Sequence, residues 1–270
     1  MRDMRQLLHS RPMDRQGSTA TATGLIVTLD GPAGSGKSTL ARRLARRLGM
    51  DFLDTGAMYR GIAAACIEHA VNPRLSPDRV VDIARRHAMH FDWSADPPRL
   101  IVGQRDVTDR LRDADVTAAV SDVAAIPGVR EVLVEQQRAI GVAHPWLVTE
   151  GRDQGSVVFP GAAAKFYLDA TPGVRARRRA AQLRDAGKEA DEGDILQSIL
   201  ARDHKDSHRK DGPLICPDDA VRIDTSEMTL DQVLDEIERR VRLQAATILQ
   251  HRGSAKVRNH EVTQGPPDSR

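Results

Sequence analysis

Residues 31–39 read GPAGSGKST, directly after the apolar run LIVTLD and directly before a helix-patterned segment opening at Ser38. No other feature narrows the possible folds so much. A turn of the form Gly, four residues, Gly-Lys-Ser/Thr works only where a strand feeds a tight loop and a helix starts at once, because loop amides and helix N-terminus must converge on one anion. Gly31, Gly34 and Gly36 let the backbone turn, and Pro32, Ala33 and Ser35 complete the loop. Lys37 is placed to reach β- and γ-phosphates, Ser38 to ligate magnesium, and Thr39 closes the motif. The motif alone does not choose among ATPases, GTPases and small-molecule kinases.

The surrounding pattern agrees with such a loop. GLIVTL, PWLVT, KFYL and AVRI read as short apolar strands separated by helical patterns and polar turns, which predicts an α/β fold with a parallel sheet flanked by helices. Leu40, Leu44 and Leu48 make one apolar stripe on a helix from Ser38 to Leu48, with Arg42, Arg43, Arg46 and Arg47 on a solvated outer face. Between about 72 and 112 the alternation in HFDW and RLIV predicts a small inserted β subdomain, and Leu230, Val233, Leu234, Ile237 and Val241 predict a final helix over about 229–247. Residues 1–24 and 249–270 lack apolar periodicity and read as disordered extensions around a folded part at 25–248.

Bulk properties exclude several classes. Forty basic and 38 acidic residues leave a formal charge of +2, and only four Phe, two Tyr and two Trp are available for stacking, so nucleic acid is not expected as a partner. Cys66 and Cys216 lie far apart and outside metal or redox spacings, which favours a reducing compartment; no apolar run reaches membrane-span length, so no membrane partner and a cytoplasmic location are expected.

Four further segments sharpen the reading: LDTGAMYRG (53–61), VSDVAAIPGVRE (120–131), EGRDQGSVVFPGA (150–162) and ARDHKDSHRKDGPL (201–214). In this order, and together with the phosphate loop, they resemble the cytidylate kinase family over nearly all of 25–240. The resemblance implies a P-loop kinase fold: a five-stranded parallel sheet flanked by helices, a small inserted β subdomain that binds the acceptor nucleotide, and a helical lid at about 175–212. It implies ATP as donor with Mg2+, CMP or dCMP as acceptor, and a monomer.

Site residues carry over by the same resemblance. Thr55 and Arg60 fall on the acceptor phosphate, Ser121, Arg130 and Asp153 on the cytosine, and Arg152 on the phosphates. Arg202, Asp206 and Arg209 fall on ribose and phosphate, and their spacing of four and three puts them on one helix face. Arg178 and Arg179, in the run RARRRAAQLR after KFYLDA, fall at the start of the lid. The chemistry is coherent, since a carboxylate at 153 accepts from the cytosine amino group and Arg130 donates to ring acceptors, whereas uracil reverses the first of these. Lys37, Arg60, Arg152, Arg178 and Arg179 are the expected catalytic cations. Plainer readings exist for each cluster: a helix N-cap for Ser121, a structural ion pair for Arg130 and Asp153, and an intrahelical ladder for Arg202, Asp206 and Arg209. Gln154, Ser156, Gly161 and VGQRDVT (102–108) depart from the family's usual residues. Rival functions are a kinase for another monophosphate such as UMP, transfer to a hydroxyl acceptor such as shikimate, and a nucleotide-binding regulatory module without turnover.

Overall fold

The computed structural model describes the backbone of residues 24–261 and the side chains of 24–247. The extension expected over 1–24 therefore lies almost wholly outside the described residues, as does the tail beyond 261. The main sheet is built from β1 (Leu25–Asp30), β2 (Asp51–Asp54), β6 (Trp146–Glu150), β7 (Ala164–Asp169) and β8 (Val221–Asp224) in the order β2-β6-β1-β7-β8, every pair parallel. β1 and β6 lie inside the sheet with both faces covered, which is why they read as continuous apolar runs. β2 escaped the sequence reading because only Phe52 and Leu53 are apolar in it.

Each face of the sheet has its own core. Leu25, Val27 and Leu29 of β1, with Val148, Phe166 and Leu168, pack under α1 (Lys37–Leu48) and the last helix, α8 (Leu230–Glu261). Ile26 and Leu147 point the other way, toward α2 (Thr55–Glu68), α4 (Ala114–Ala124) and α5 (Pro127–Ala143). Leu40, Leu44 and Leu48 are buried as their spacing requires. The arginines of α1 are less idle than a solvated face would be: Arg43 pairs with Asp231, Arg47 with Asp235 and Glu238, and Arg46 with Asp96. α8 runs to Glu261, past 247 and into the segment read as a tail. Among the described side chains its last buried residue is Ala245, and intrahelical hydrogen bonding needs no apolar partner to continue through residues of adequate helix propensity.

The inserted region contains β structure as expected, a sheet of β3 (Met89–Asp92), β4 (Arg99–Val102) and β5 (Arg105–Asp106) whose pairing is antiparallel. It also contains a helix, α3 (Pro77–Arg86), whose stripe of Val80, Ile83 and Ala84 is only three residues long. Trp93, between β3 and β4, stacks on His144 with ring centroids 4.3 Å apart, so the insert leans on the core. The segment expected as a lid holds a helical pair, α6 (Pro172–Asp185) and α7 (Glu192–His208), capped at Thr171 and Asp191. Both cysteines are free; Cys66 is buried and Cys216 exposed.

Candidate active site

β1 delivers the chain into the phosphate loop at the carboxyl end of the sheet. Gly31 has φ 144°, and a Cβ built on it would stand 2.0 Å from the Leu168 carbonyl oxygen of β7, so the loop can leave the strand here only as glycine. Gly36 caps α1, its carbonyl accepting from the Leu40 amide, while Thr39 is exposed on the first turn. Lys37 is buried; its Nζ donates to the Pro32 carbonyl at 2.7 Å and to Ser35 Oγ at 3.4 Å. Burial pushes its ammonium down to about 7, Arg152 adds to that, and Glu150 and Asp30 pull against it.

Ser38 Oγ donates to Glu150 Oε1 at 2.6 Å, and Thr55 Oγ1 donates to the Glu150 carbonyl at 2.8 Å. Asp54, at the end of β2, accepts from the Ala57 amide. Burial and then the Glu150 charge hold its carboxyl well above the ordinary carboxylate range. Ser38, Glu150 and Asp54 thus form a hard-oxygen cluster whose crowded negative charge a divalent cation would relieve. Neither Glu150 nor Asp54 was picked out from the sequence. The available signal was the apolar run LVTE ending in an acid, but only the parallel register that sets Glu150 opposite Leu29 brings it to the phosphate loop.

The turn after β6 carries the next set. Asp30, at the end of β1, accepts from the Gln154 and Gly155 amides at 2.8 and 2.7 Å, fixing a single π-helical turn over Gln154–Val158. Burial of Asp30 outweighs those two bonds and raises its carboxyl to about 6. Gln154 is buried and satisfied: Thr149 donates to its Oε1, and its Nε2 donates to Gln137. Ser156 has no such answer, its buried Oγ having no partner, and Gly161 faces open space. Asp153 makes a buried ion pair with Arg130 of α5, which also donates to the Tyr59 hydroxyl at 3.3 Å.

Arg152, from the same turn, reaches the lid. Its Nε lies 3.0 Å from Asp206 Oδ2, and Arg202 and Arg209 each approach Asp206 at 3.9 Å. Burial alone would raise the Asp206 carboxyl, but these three guanidinium groups outweigh it and hold the pKa below the usual range. Burial and Arg152 push Arg202 down to about 10. The expectation that Arg202, Asp206 and Arg209 share a helix face needs correction: α7 ends at His208, and Arg209 is its extended C-cap, reaching Asp206 from outside the helix. Arg60 donates to the Leu111 carbonyl at 3.1 Å and Thr117 Oγ1 at 3.0 Å. After burial and Asp54, its electrostatic neighbours are Arg152, Arg112 and Arg179.

The two lid-root arginines part company. Arg179 is exposed within electrostatic range of Arg60, whereas Arg178 donates to Thr225 Oγ1 at 3.1 Å and to the Thr225 carbonyl, on the loop before α8. One residue along a helix is a turn of about 100°, which separates them. The residue of that run built deepest into the site is instead Arg175. Its guanidinium donates to the Ala170 carbonyl at 2.9 Å, to the Ala33 carbonyl of the phosphate loop at 3.0 Å and to Asp203 of α7 at 2.6 Å. Ser121 lies inside α4, not at an N-cap, and helps line a cleft of about 320 Å³ with Ala124, Ala125, His204, Asp206 and Arg209.

The family model for cytidylate kinase matches residues 27–243. The cytidylate kinase of Vibrio parahaemolyticus is 43% identical over 211 residues, covering 78% of this chain and 92% of that protein. That of Azotobacter vinelandii is 42% identical over 216 residues, covering 79% and 93%, and that of Pseudomonas aeruginosa 41% over 215 residues, covering 78% and 93%. With the phosphate loop and most of the chain inside the matched span, the chain belongs to the cytidylate kinase family.

Proposed function

We propose that the chain transfers the γ-phosphoryl group of ATP to the 5'-phosphate of CMP or dCMP, giving ADP and CDP or dCDP, with the residue roles set out here. Lys37 and the loop 31–36 hold the donor phosphates. Arg60, Arg152, Arg202 and Arg209 hold the acceptor phosphate and ribose, with Asp206 orienting them and Thr55 beneath. Ser121, Arg130 and Asp153 read the base. Arg179 meets the transferring group from the lid, and Arg178 anchors the lid root to Thr225.

The observation that carries this reading is the position of Arg152. It stands between the buried Lys37, whose charge it repels, and the Asp206 cluster on the lid, so one guanidinium spans donor and acceptor halves. An acceptor monophosphate has a second pKa of about 6 and arrives largely ionised, so the transfer needs no general base. Catalysis is then positioning and charge neutralisation by Lys37, Arg60, Arg152 and Arg179. Mg2+ would be held by Ser38 with Glu150 and Asp54, directly or through water, and when bound supplies charge neutralisation on the donor phosphates. No helix among the described residues is long and apolar enough to cross a membrane.

The test offers CMP, dCMP, UMP, AMP, GMP and shikimate separately with ATP and magnesium and follows ADP. CMP and dCMP are expected to dominate. Turnover confined to a non-pyrimidine or hydroxyl acceptor would overturn the base reading assigned to Arg130 and Asp153.

A further inference from the structure

The pair assigned to the base is shut away from solvent, the side chains of Arg130 and Asp153 being 5% and 6% exposed. On the lid side it is shut in by the chain that leaves α7. Arg209 Nε donates to the Gly212 carbonyl, and the Leu214 amide returns to the Asp206 carbonyl at 2.8 Å, so residues 209–214 fold back as a tight loop. At its tip Gly212 adopts φ 56°, and a Cβ built there would stand 2.0 Å from Arg130 Nη2 and 2.3 Å from Asp153 Oδ2. Bare glycine backbone is laid against the donor and acceptor atoms that cytosine would use. The neighbouring cleft beside Ser121, Asp206 and Arg209 stays open.

Resting on the base reading above, we infer that Gly212 governs access to the Arg130–Asp153 pair: the 209–214 loop is a cover that the acceptor base displaces as it binds. Glycine backbone and a pyrimidine edge cannot occupy the same Nη2 and Oδ2 atoms, so seating of the loop and seating of the base exclude each other. The loop begins at Arg209, one of the guanidiniums on Asp206. Lifting it therefore moves an acceptor-phosphate arginine, and recognition at the base end is transmitted to the phosphate end. Glycine suits the covered form, since a side chain at 212 would push against the tips of the pair and take up a left-handed φ, both of which disfavour the seated loop.

The sign of one substitution separates a cover from a supporting wall. When the competent form is a fraction of the population, apparent affinity falls by that fraction, so unseating the cover tightens binding. Calorimetry without donor is expected to show Gly212→Ala binding CMP more tightly than wild type by about fivefold. In the wild-type protein, hydrogen exchange at the Leu214 amide is expected to quicken when CMP is added. Equal or weaker CMP binding by Gly212→Ala, or exchange at Leu214 that is unchanged or slowed, overturns the inference; should the variant not fold, the wild-type exchange decides alone. Asp153→Asn is measured alongside. If it binds CMP as well as wild type, the base reading itself falls, whereas weak binding by Asp153→Asn together with no tightening by Gly212→Ala removes the cover and leaves the base reading standing.

Discussion

Lys37 is buried and Asp54 half-buried, and their ionisation is pushed in opposite senses. Replacing Lys37 with alanine is expected to lower kcat by at least ~100-fold, the usual order for removing one preorganised cation or donor, while circular dichroism stays that of the wild type. For Asp54 the native pKa is raised above the unfolded value of about 3.9, so its contribution to stability is fully present below that value and is lost as pH rises through the native one. Asp54→Asn keeps the acceptor for the Ala57 amide and is expected to flatten that loss. Urea midpoints at pH 5 and pH 8 measure it: wild type should drop more than the variant, and added magnesium should recover wild type at pH 8 but not the variant. At this scale the sequence was uneven. Lys37 and Ser38 were legible because their chemistry depends on neighbours in the chain, whereas Glu150, Asp54 and Arg175 act across strands and loops that only the fold brings together.

Helices that carried long apolar stripes, α1 and α8, could be placed from spacing alone. Shorter elements could not: β2 has two apolar residues and α3 buries three, too few for a period to register. The end of α7 was missed for a related reason, since a spacing of three fits a helix whether or not the backbone stays helical at Arg209. On α5, Gly141 sets two element-level effects against each other. Alanine there should gain about 1 kcal/mol of helix propensity. Its Cβ would stand 2.6 Å from Phe159 Cε1 and 3.4 Å from Ile26 Cδ1, and overpacking typically costs about 1–3 kcal/mol. Overpacking wins, and Gly141→Ala is expected to lose about 1 kcal/mol in urea unfolding. Arg175→Met should be worse, by about 3 kcal/mol, because it leaves the partly buried Asp203 and the Ala33 and Ala170 carbonyls without their donor. Its KM for ATP should rise with the loosened phosphate loop.

Across the whole molecule, two separate apolar cores clamp one sheet, and the candidate site lies at the carboxyl ends of β1, β2 and β6. α/β class, parallel sheet and β insert followed from strand and helix periods; five-strandedness and the lid came through the family resemblance, since nothing in a lone stripe reports its neighbours. Beyond residue 249 the sequence carries no large apolar residue but Val257 and Val262, so a chain stopped after 249 is expected to keep wild-type kinetics and a melting point within about 2 °C, read by calorimetry. A larger fall would mean that the distal helix packs on something. Asp206 bears on the same scale. One carboxylate on α7 draws together a guanidinium from the core and two from the end of its own helix, offsetting only part of their charge. Under the roles proposed above, an incoming phosphate would meet three guanidinium groups already gathered around one carboxylate, with two more positive charges there than negative to attract it.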